Sequence, residues 1–579
     1  MFEHLPPLPD KYAAIRDWPW DNYAPYAEAL LAAPLTDQTA DAWLKAYSQL
    51  ARMLAEVYSR LSIEYTQDTG DAEREARYNH FLEAMLPKLL EFQNAAQKAI
   101  VASGVTPPGF EVVLRNMRAD LEIFRPENLP LISEEQKNGA EYDKTSGAQT
   151  FQWGGEEVTI VKTTPLMQGL ARAEREALWR AAAGRQLQDR EALNELWIKN
   201  LQLRQKMAAN AGYSSYLDYI WKARKRFDYT PADCQTFRDA IEQVVVPAAG
   251  RLYERYRQAF GYDSLRPWDM RIDYAHEVAL DPHGRPALRP YDSIDELNSK
   301  MSAIFHRVAP DLGGYYDDMR TKNLLDLENR KGKAPGGYCS SYPMEHVPFI
   351  FMNAVGLHND VQTLLHEGGH AFHVYEMRDL PYFDQQDQPI EFAEVASMSM
   401  ELLAAPYLAA SQGGYYSEAD AARARIEHLE SMILFWPYMA VVDGFQHWAY
   451  SHPDQAADPR NCDAAWADLW GRFLPAIDYS GLEEVKATGW HRKLHIFRVP
   501  FYYIEYGLAQ LGASQVYANS LKDQAAAIAQ YRRGLSLGYT ATLPGLFAAA
   551  GAKFAFDAPT LKTAVDLIEN TIGELLAVH

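Results

Sequence analysis

Three cysteines in 579 residues, Cys234, Cys339 and Cys462, are too few and too scattered for a disulfide framework, and they form no CxxC zinc pair. Long apolar runs are missing too. Nothing approaches the roughly 18 consecutive residues of a membrane span, so no membrane partner is expected. The opening stretch, MFEHLPPLPDKYAAIRDWPWD, has neither a basic segment nor an apolar one, and no secretion signal is visible. Positive charge is scarce: 56 Lys and Arg face 77 Asp and Glu, for a net charge of −21. Such a surface repels nucleic acid and anionic membranes rather than binding them. These absences leave a cytoplasmic enzyme as the expectation. Nothing in the sequence sets an oligomeric state.

What is present is ample core. Hydrophobic residues make up 48% of the chain, with 35 Tyr and 13 Trp among them. Residues 43–68 and 190–221 carry apolar positions at three- and four-residue spacing, as do the stretch from Ala419 to Tyr450 and the C-terminal segment from Ala558. No fixed-period repeat marks a solenoid, and the fold class is mainly α. Strand signals are local. TFQWGGEEVTI (150–160) alternates around Gly154-Gly155 and predicts a hairpin. VPFIFMN (347–353) is a short run of β-formers, preceded by the basic, Gly/Pro-punctuated loop RKGKAPGGYCSSYP.

The chemistry concentrates at 364–373, LLHEGGHAFH. His366-Glu367-Gly368-Gly369-His370 is an H-E-x-x-H. On a helix, residues four apart lie about 40° apart and one turn along, so both imidazoles can converge on one metal ion. Glu367, about 100° round from His366, can serve as general base for a water there. Asp360 is the expected N-cap of a helix over about 360–376. His373 lies roughly 10 Å beyond His366 along the axis, too far to share the ion, and is read as a packing or cleft residue. The third ligand therefore lies elsewhere. IEFAEVASMSMELL (390–403) offers Glu391, Glu394 and Glu401 among small and apolar neighbours. A helix of that kind could send one carboxylate to the metal and another to the second nitrogen of a ligand histidine. The adjacent glycines predict that another backbone approaches the motif helix closely.

TLLHEGGHAFH followed by EFAEVASMSMELL resembles the M3 family of zinc peptidases, in its oligoendopeptidase F (Pz-peptidase-like) branch. DLENRKGKAPGGYCSSYP, WHRKLHIFRVPFYYIEYGLAQLGA and YRRGLSLGYTATLPGLFAAAGAKF carry the same likeness, over about residues 200–560. The resemblance implies a two-lobed helical metallopeptidase with a deep channel and a small β-sheet near the zinc-binding helix. It divides the chain into an N-terminal helical lobe with the hairpin (1–200) and a catalytic region (201–579), with the lobes interleaved. It makes His366, His370 and Glu394 the ligands of one Zn²⁺, Glu367 the base and Glu401 a supporting carboxylate. His495 and Tyr506 match residues that steady the tetrahedral oxyanion. A further family tyrosine falls at Val499 here, which leaves its role to Tyr502 or Tyr503, or leaves it vacant. PFIFMN matches an edge strand that pairs with the substrate backbone, which nominates Phe349 and Phe351 together with Gly336, Gly337 and Tyr338 of the preceding loop. The expected substrates are short oligopeptides.

Two other readings stand beside this. A zinc carboxypeptidase or dipeptidyl carboxypeptidase would need a cation for the substrate's C-terminal carboxylate, and Arg498, Arg492, Lys331 or Lys333 could provide it. An inactive helical peptide-binding scaffold is the non-enzymatic alternative, which the presence of Glu367 disfavours.

Overall fold

Among the described residues helices predominate, with two small sheets beside them. The computed structural model describes residues 2, 4–167, 169–270, 281, 284–334 and 336–578. Two compact units share the chain. Unit one takes Met1–Glu122, Leu288–Ala421 and Gly512–Phe554; unit two takes Ile123–Ala287, Ala422–Leu511 and Ala555–His579. Residue 200 lies inside a helix of unit two, Arg190–Asn210, while the first 122 residues belong to the unit that carries the H-E-x-x-H.

In unit two the expected hairpin forms, with β1 (Thr150–Trp153) antiparallel to β2 (Glu156–Thr159). Gly154 and Gly155 take φ of 60° and 89°, the left-handed pair that a two-residue hairpin turn needs. The periodic stretch 190–221 is two helices rather than one. Gly212 at φ 87° ends the first, and Ser215 accepts from the Asp218 N–H at 3.1 Å to start Tyr216–Ala223.

Unit one holds α1 (Ala40–Gln67), α2 (Ile294–Val308), α3 (His358–Met377), α4 (Ile390–Ala404) and α5 (Gln524–Leu535). The inward stripe of α1, including Trp43, Tyr47, Leu50, Leu54 and Leu61, is buried with Phe81, Phe92 and Phe110. Tyr382, on the connection between α3 and α4, is buried in that same cluster. The N-terminal helices thus hold the turn that joins the two motif-bearing helices.

Beside α3 lies a three-stranded sheet in the order β3 (Leu325–Glu328), β5 (Val347–Ala354), β4 (Tyr338–Tyr342). β5 runs parallel to β3 and antiparallel to β4. Lys333, whose side chain is wholly buried, ties the loop to the sheet. Its ammonium donates to the carbonyls of Asp326 (2.9 Å), Glu328 (2.8 Å) and Met352 (2.6 Å) and to the Asp326 carboxylate (2.8 Å). Burial alone would push the Asp326 carboxyl up, but hydrogen bonds from Arg330 and Lys333 and the Lys333 charge outweigh it and hold the carboxyl at about 2.

Lys333→Met should therefore cost about 2–4 kcal/mol in denaturant unfolding, because it leaves three carbonyls without their donor and the Asp326 carboxylate to Arg330 and Gln67 alone. The sign of the pH dependence follows from the lowered carboxyl. Between its ordinary 3.8 and about 2, the unfolded chain binds more protons than the folded one. The Asp326 contribution is therefore whole above 3.8 and drains away as pH falls through about 2. The gap between wild type and variant should narrow over that window; a gap independent of pH would contradict the pairing.

Candidate metal centre

α3 begins at His358, two residues before the expected cap. Asp360 sits inside the first turn, and its carboxylate reaches back to the N–H groups of Leu357 (2.8 Å) and Val355 (2.9 Å) and accepts from the Tyr291 hydroxyl. That fixes where the helix leaves the sheet, and so where its histidines fall.

The rings of His366 and His370 lie 4.9 Å apart and nearly perpendicular. α4 brings Glu394 against both, with its Oε2 3.3 Å from His366 Nε2 and 3.8 Å from His370 Nε2. One donor atom from each of these three residues lies within 4.8 Å of the others. Ser397 donates to Glu394 Oε2 at 3.0 Å, and His366 Nδ1 meets Glu401 Oε1 at 2.7 Å. Successive contacts of His366 with Glu401, Gly369 with Ala396 and His373 with Phe392 make α3 and α4 antiparallel.

The glycines explain how close the two helices come. A Cβ on Gly369 would stand 2.6 Å from the carbonyl oxygen of Ala396 and from the Cα of Ser397. The expected backbone approach is therefore made by α4 at Gly369. Gly368 serves a different neighbour: its Cβ would meet Cζ of Phe305, on α2, at 2.5 Å.

Charge at the centre is poised for a cation. Burial pushes the Glu394 carboxyl up, but the hydrogen bond from His366 and the nearby His370 and His366 charges hold it at about 2. Burial lowers His366, yet the hydrogen bonds and charges of Glu394 and Glu401 win and raise it well above its usual value. The donors His366, His370 and Glu394 suit a divalent ion. Glu367, 7% exposed, is pushed up to about 7 by burial, and the Cys339 N–H of β4 hydrogen-bonds to it. Sequence reasoning missed that contact, since it read the Cys339 segment as loop. His373 is 1% exposed and packed edge-on against Phe392, and no described residue hydrogen-bonds to either of its nitrogens. It is a core residue.

Among the nominated substrate residues, the strand assignment needs correction. β5 is the central strand, paired on both sides, and cannot be the edge that receives a peptide. Phe349 and Phe351 are 4% and 0% exposed. Phe351 stacks on Tyr338 at 4.8 Å, whose hydroxyl bonds Thr66 at 2.6 Å. The edge strand on this side is β4. Gly336 and Gly337 are exposed, and Asn353 holds their loop by donating to the carbonyls of Ala334 (2.8 Å) and Gly336 (2.9 Å).

Unit two gathers the other nominated residues. The His495 ring lies 4.7, 5.8 and 6.3 Å from those of Tyr503, Tyr502 and Tyr506. Tyr503 is buried to 2%, beneath the Lys493 ammonium at 4.2 Å, whereas Tyr502 and Tyr506 are half-buried. Burial, then the charges of Lys493 and Arg224, push His495 down to about 3, so its imidazole is neutral.

Two histidines and a glutamate on adjoining helices, with a further buried glutamate beside them, form the donor set of a metal-dependent hydrolase. A sequence profile of peptidase family M3 matches residues 166–565, and the chain belongs to that family of metallopeptidases. Its fold is that of a PZ peptidase A solved with an inhibitor, 25% identical, with a TM-score of 0.85 over 97% of this chain and 99% of the other. A crystal structure named for oligoendopeptidase F is 27% identical, also at a TM-score of 0.85, over 97% and 98%. The oligopeptidase PepF of Bacillus subtilis (strain 168) is 38% identical over 84 residues, a match spanning 14% of this chain and only 12% of that relative's length.

Gly369→Ala should lower metal affinity by about tenfold or more, since overpacking against a backbone costs about 1–3 kcal/mol and moves Glu394. A chelating-dye competition reads the loss. Gly368→Ala should be relieved by Phe305→Leu, because a side chain can yield; Gly369→Ala should not be. Unchanged affinity in Gly369→Ala would show that the helix contact does not set the centre.

Proposed function

We propose that this chain is a cytoplasmic zinc-dependent endopeptidase that hydrolyses internal bonds of short oligopeptides, with one zinc ion held by His366, His370 and Glu394. The observation that carries the reading is the convergence of those three donors within 4.8 Å beside the buried Glu367. Bound there, zinc would polarise a peptide carbonyl and acidify a water molecule.

The chain's own groups supply the rest. Glu367 takes the proton of the attacking water and returns it to the leaving amine, and the Cys339 N–H keeps its carboxylate aimed. Glu401, bonded to His366 Nδ1, orients that ring so that Nε2 faces the donor cluster. The main chain at the free edge of β4 and the exposed Gly336-Gly337 loop are assigned to the substrate backbone, whose groups every peptide shares. Neutral His495, with Tyr502 and Tyr506 beside it, is assigned as a hydrogen-bond donor to the substrate. The kinship with oligoendopeptidase F supports internal cleavage of short peptides. Three free cysteines accord with a reducing compartment. Of the four cations nominated for the exopeptidase alternative, Lys333 is engaged by the sheet, Arg492 by the Val485 carbonyl and Arg498 by Asp143, while Lys331 is exposed.

Glu367→Gln should retain zinc by metal analysis and lose at least about 10²–10⁴-fold in peptide hydrolysis. A chelator should abolish wild-type activity, and zinc should restore it. Quenched peptides of increasing length should show cleavage falling off with length and fragments from internal bonds. An undiminished rate in Glu367→Gln would overturn the mechanism, and stepwise release of C-terminal residues would favour the exopeptidase.

A further inference from the structure

Arg224 is held as few surface arginines are. Its Nε donates to the Pro500 carbonyl at 2.9 Å and its Nη1 to Glu505 at 3.3 Å, while its guanidinium lies 5.6 Å from the centre of the Tyr502 ring. No described residue takes Nη2, and the side chain is 18% exposed. Two edges of the fork are thus fixed and the third is open.

The turn that receives it is itself fixed. Phe501 stands at φ 64°, a costly conformation for a residue with a bulky side chain. It is kept there by its N–H on Gln446 (2.7 Å) and by Arg226 on its carbonyl (2.5 Å). Arg226 also binds Glu505 at 2.6 Å, so two guanidiniums share that one carboxylate. The His495 ring also neighbours Tyr502, with centroids 5.8 Å apart. Its Nδ1 is buried and no described residue hydrogen-bonds to it. An open guanidinium edge and an unpartnered imidazole nitrogen therefore lie near one half-buried tyrosine, amid the charges of Lys493 and Arg224, in a chain whose net charge is −21.

We propose that Arg224, with Tyr502 and His495, forms a subsite for a carboxylate of the peptide substrate. A guanidinium preset by two fixed hydrogen bonds loses little freedom on pairing with a planar carboxylate, which is the pairing its geometry favours. Acidic surfaces elsewhere repel such a group, so local positive charge is what would admit it. The carboxylate has two possible sources, the peptide's C-terminus or a Glu or Asp side chain. The proposal rests on the peptidase reading for its ligand and gives it a chemical preference.

The test uses the full-length Glu367→Gln chain, loaded with zinc, and measures binding of fluorescent peptides without turnover. Four peptides differ only in C-terminal carboxylate against carboxamide and in an internal Glu against Gln. The expected result is affinity weaker by about tenfold or more when the responsible carboxylate is neutralised, as for a charge-assisted hydrogen bond. Loss on amidation assigns the C-terminus, and loss on Glu→Gln assigns the side chain. Adding Arg224→Gln should collapse the ratio towards one, and Arg224→Lys should restore part of it. Thermal melts of both variants identify any unfolding, and in that event the ratio in the Glu367→Gln chain and in a His495→Gln counterpart decides. Equal affinity for all four peptides would overturn the subsite. Absence of cleavage by the wild-type chain would instead overturn the peptidase reading, with the binding ratios still measured.

Discussion

The centre depends on one backbone contact, the seating of Gly369 against Ala396 and Ser397. Two helices that carry a metal's ligands must be spaced by side chains or by bare backbone, and bare backbone allows the closest approach. At that distance a glutamate on one helix can reach two imidazoles a turn apart on the other, as Glu394 does. A third helix braces the pair: the Tyr531 hydroxyl of α5 donates to the Ala396 carbonyl at 2.8 Å, the oxygen that Gly369 faces. Phe305, filling the space over Gly368, holds α3 from another side. Two glycines with about 1 kcal/mol of helix propensity each set against them are therefore repaid in packing, each against a different partner.

The same spacing concentrates charge. Glu367, Glu394 and Glu401 lie near one another, and all three interact with His366 or depend on its charge. Buried carboxylates are tolerable only with a cation or a proton nearby. The structure answers in two ways: His366 is pushed towards its protonated form, and Glu367 is pushed towards neutrality. Both responses are what a divalent ion would relieve. Protons on His366 and Glu367 balance the buried carboxylates, and the donor set of His366, His370 and Glu394 suits a divalent cation in their stead.

The sequence made the donors legible because their chemistry and their helical spacing coincide in a few residues. His366, Glu367 and His370 could be read from period alone, and Glu394 and Glu401 could be recognised as buried carboxylates although not told apart by it. The sheet was less legible. Tyr338–Tyr342 and Leu325–Glu328 are five and four residues long, too short for their pattern to mark a strand against the surrounding loop. β5 is central rather than the edge that the resemblance implies, and its unbroken apolar run is the mark of a strand covered on all sides. The position of Asp360 one turn too deep, and the break at Gly212, are likewise local geometries that hydrophobic periodicity does not resolve.

The tyrosines near His495 show where burial decides what spacing leaves open. Tyr502 and Tyr503 are neighbours in sequence, and either could have filled the place vacated at Val499. In the fold they diverge. Tyr503 opens the helix Tyr503–Ser520 facing inward, against Phe435, Tyr438 and the Lys493 ammonium, and its ring is committed to the core. Tyr502 precedes that helix on the turn pinned by Arg224 and Arg226, half-buried, with a guanidinium 5.6 Å and an imidazole 5.8 Å from its ring. The left-handed Phe501 turns the chain just before Tyr502, and the helix begins at Tyr503, so the adjacent tyrosines face different environments. A pattern-based reading cannot see that redirection, because nothing in the letters FYY marks which residue bends. Burial, with the charges of Lys493 and Arg224, keeps His495 neutral, and Arg224 also fixes the turn that carries its tyrosine neighbour.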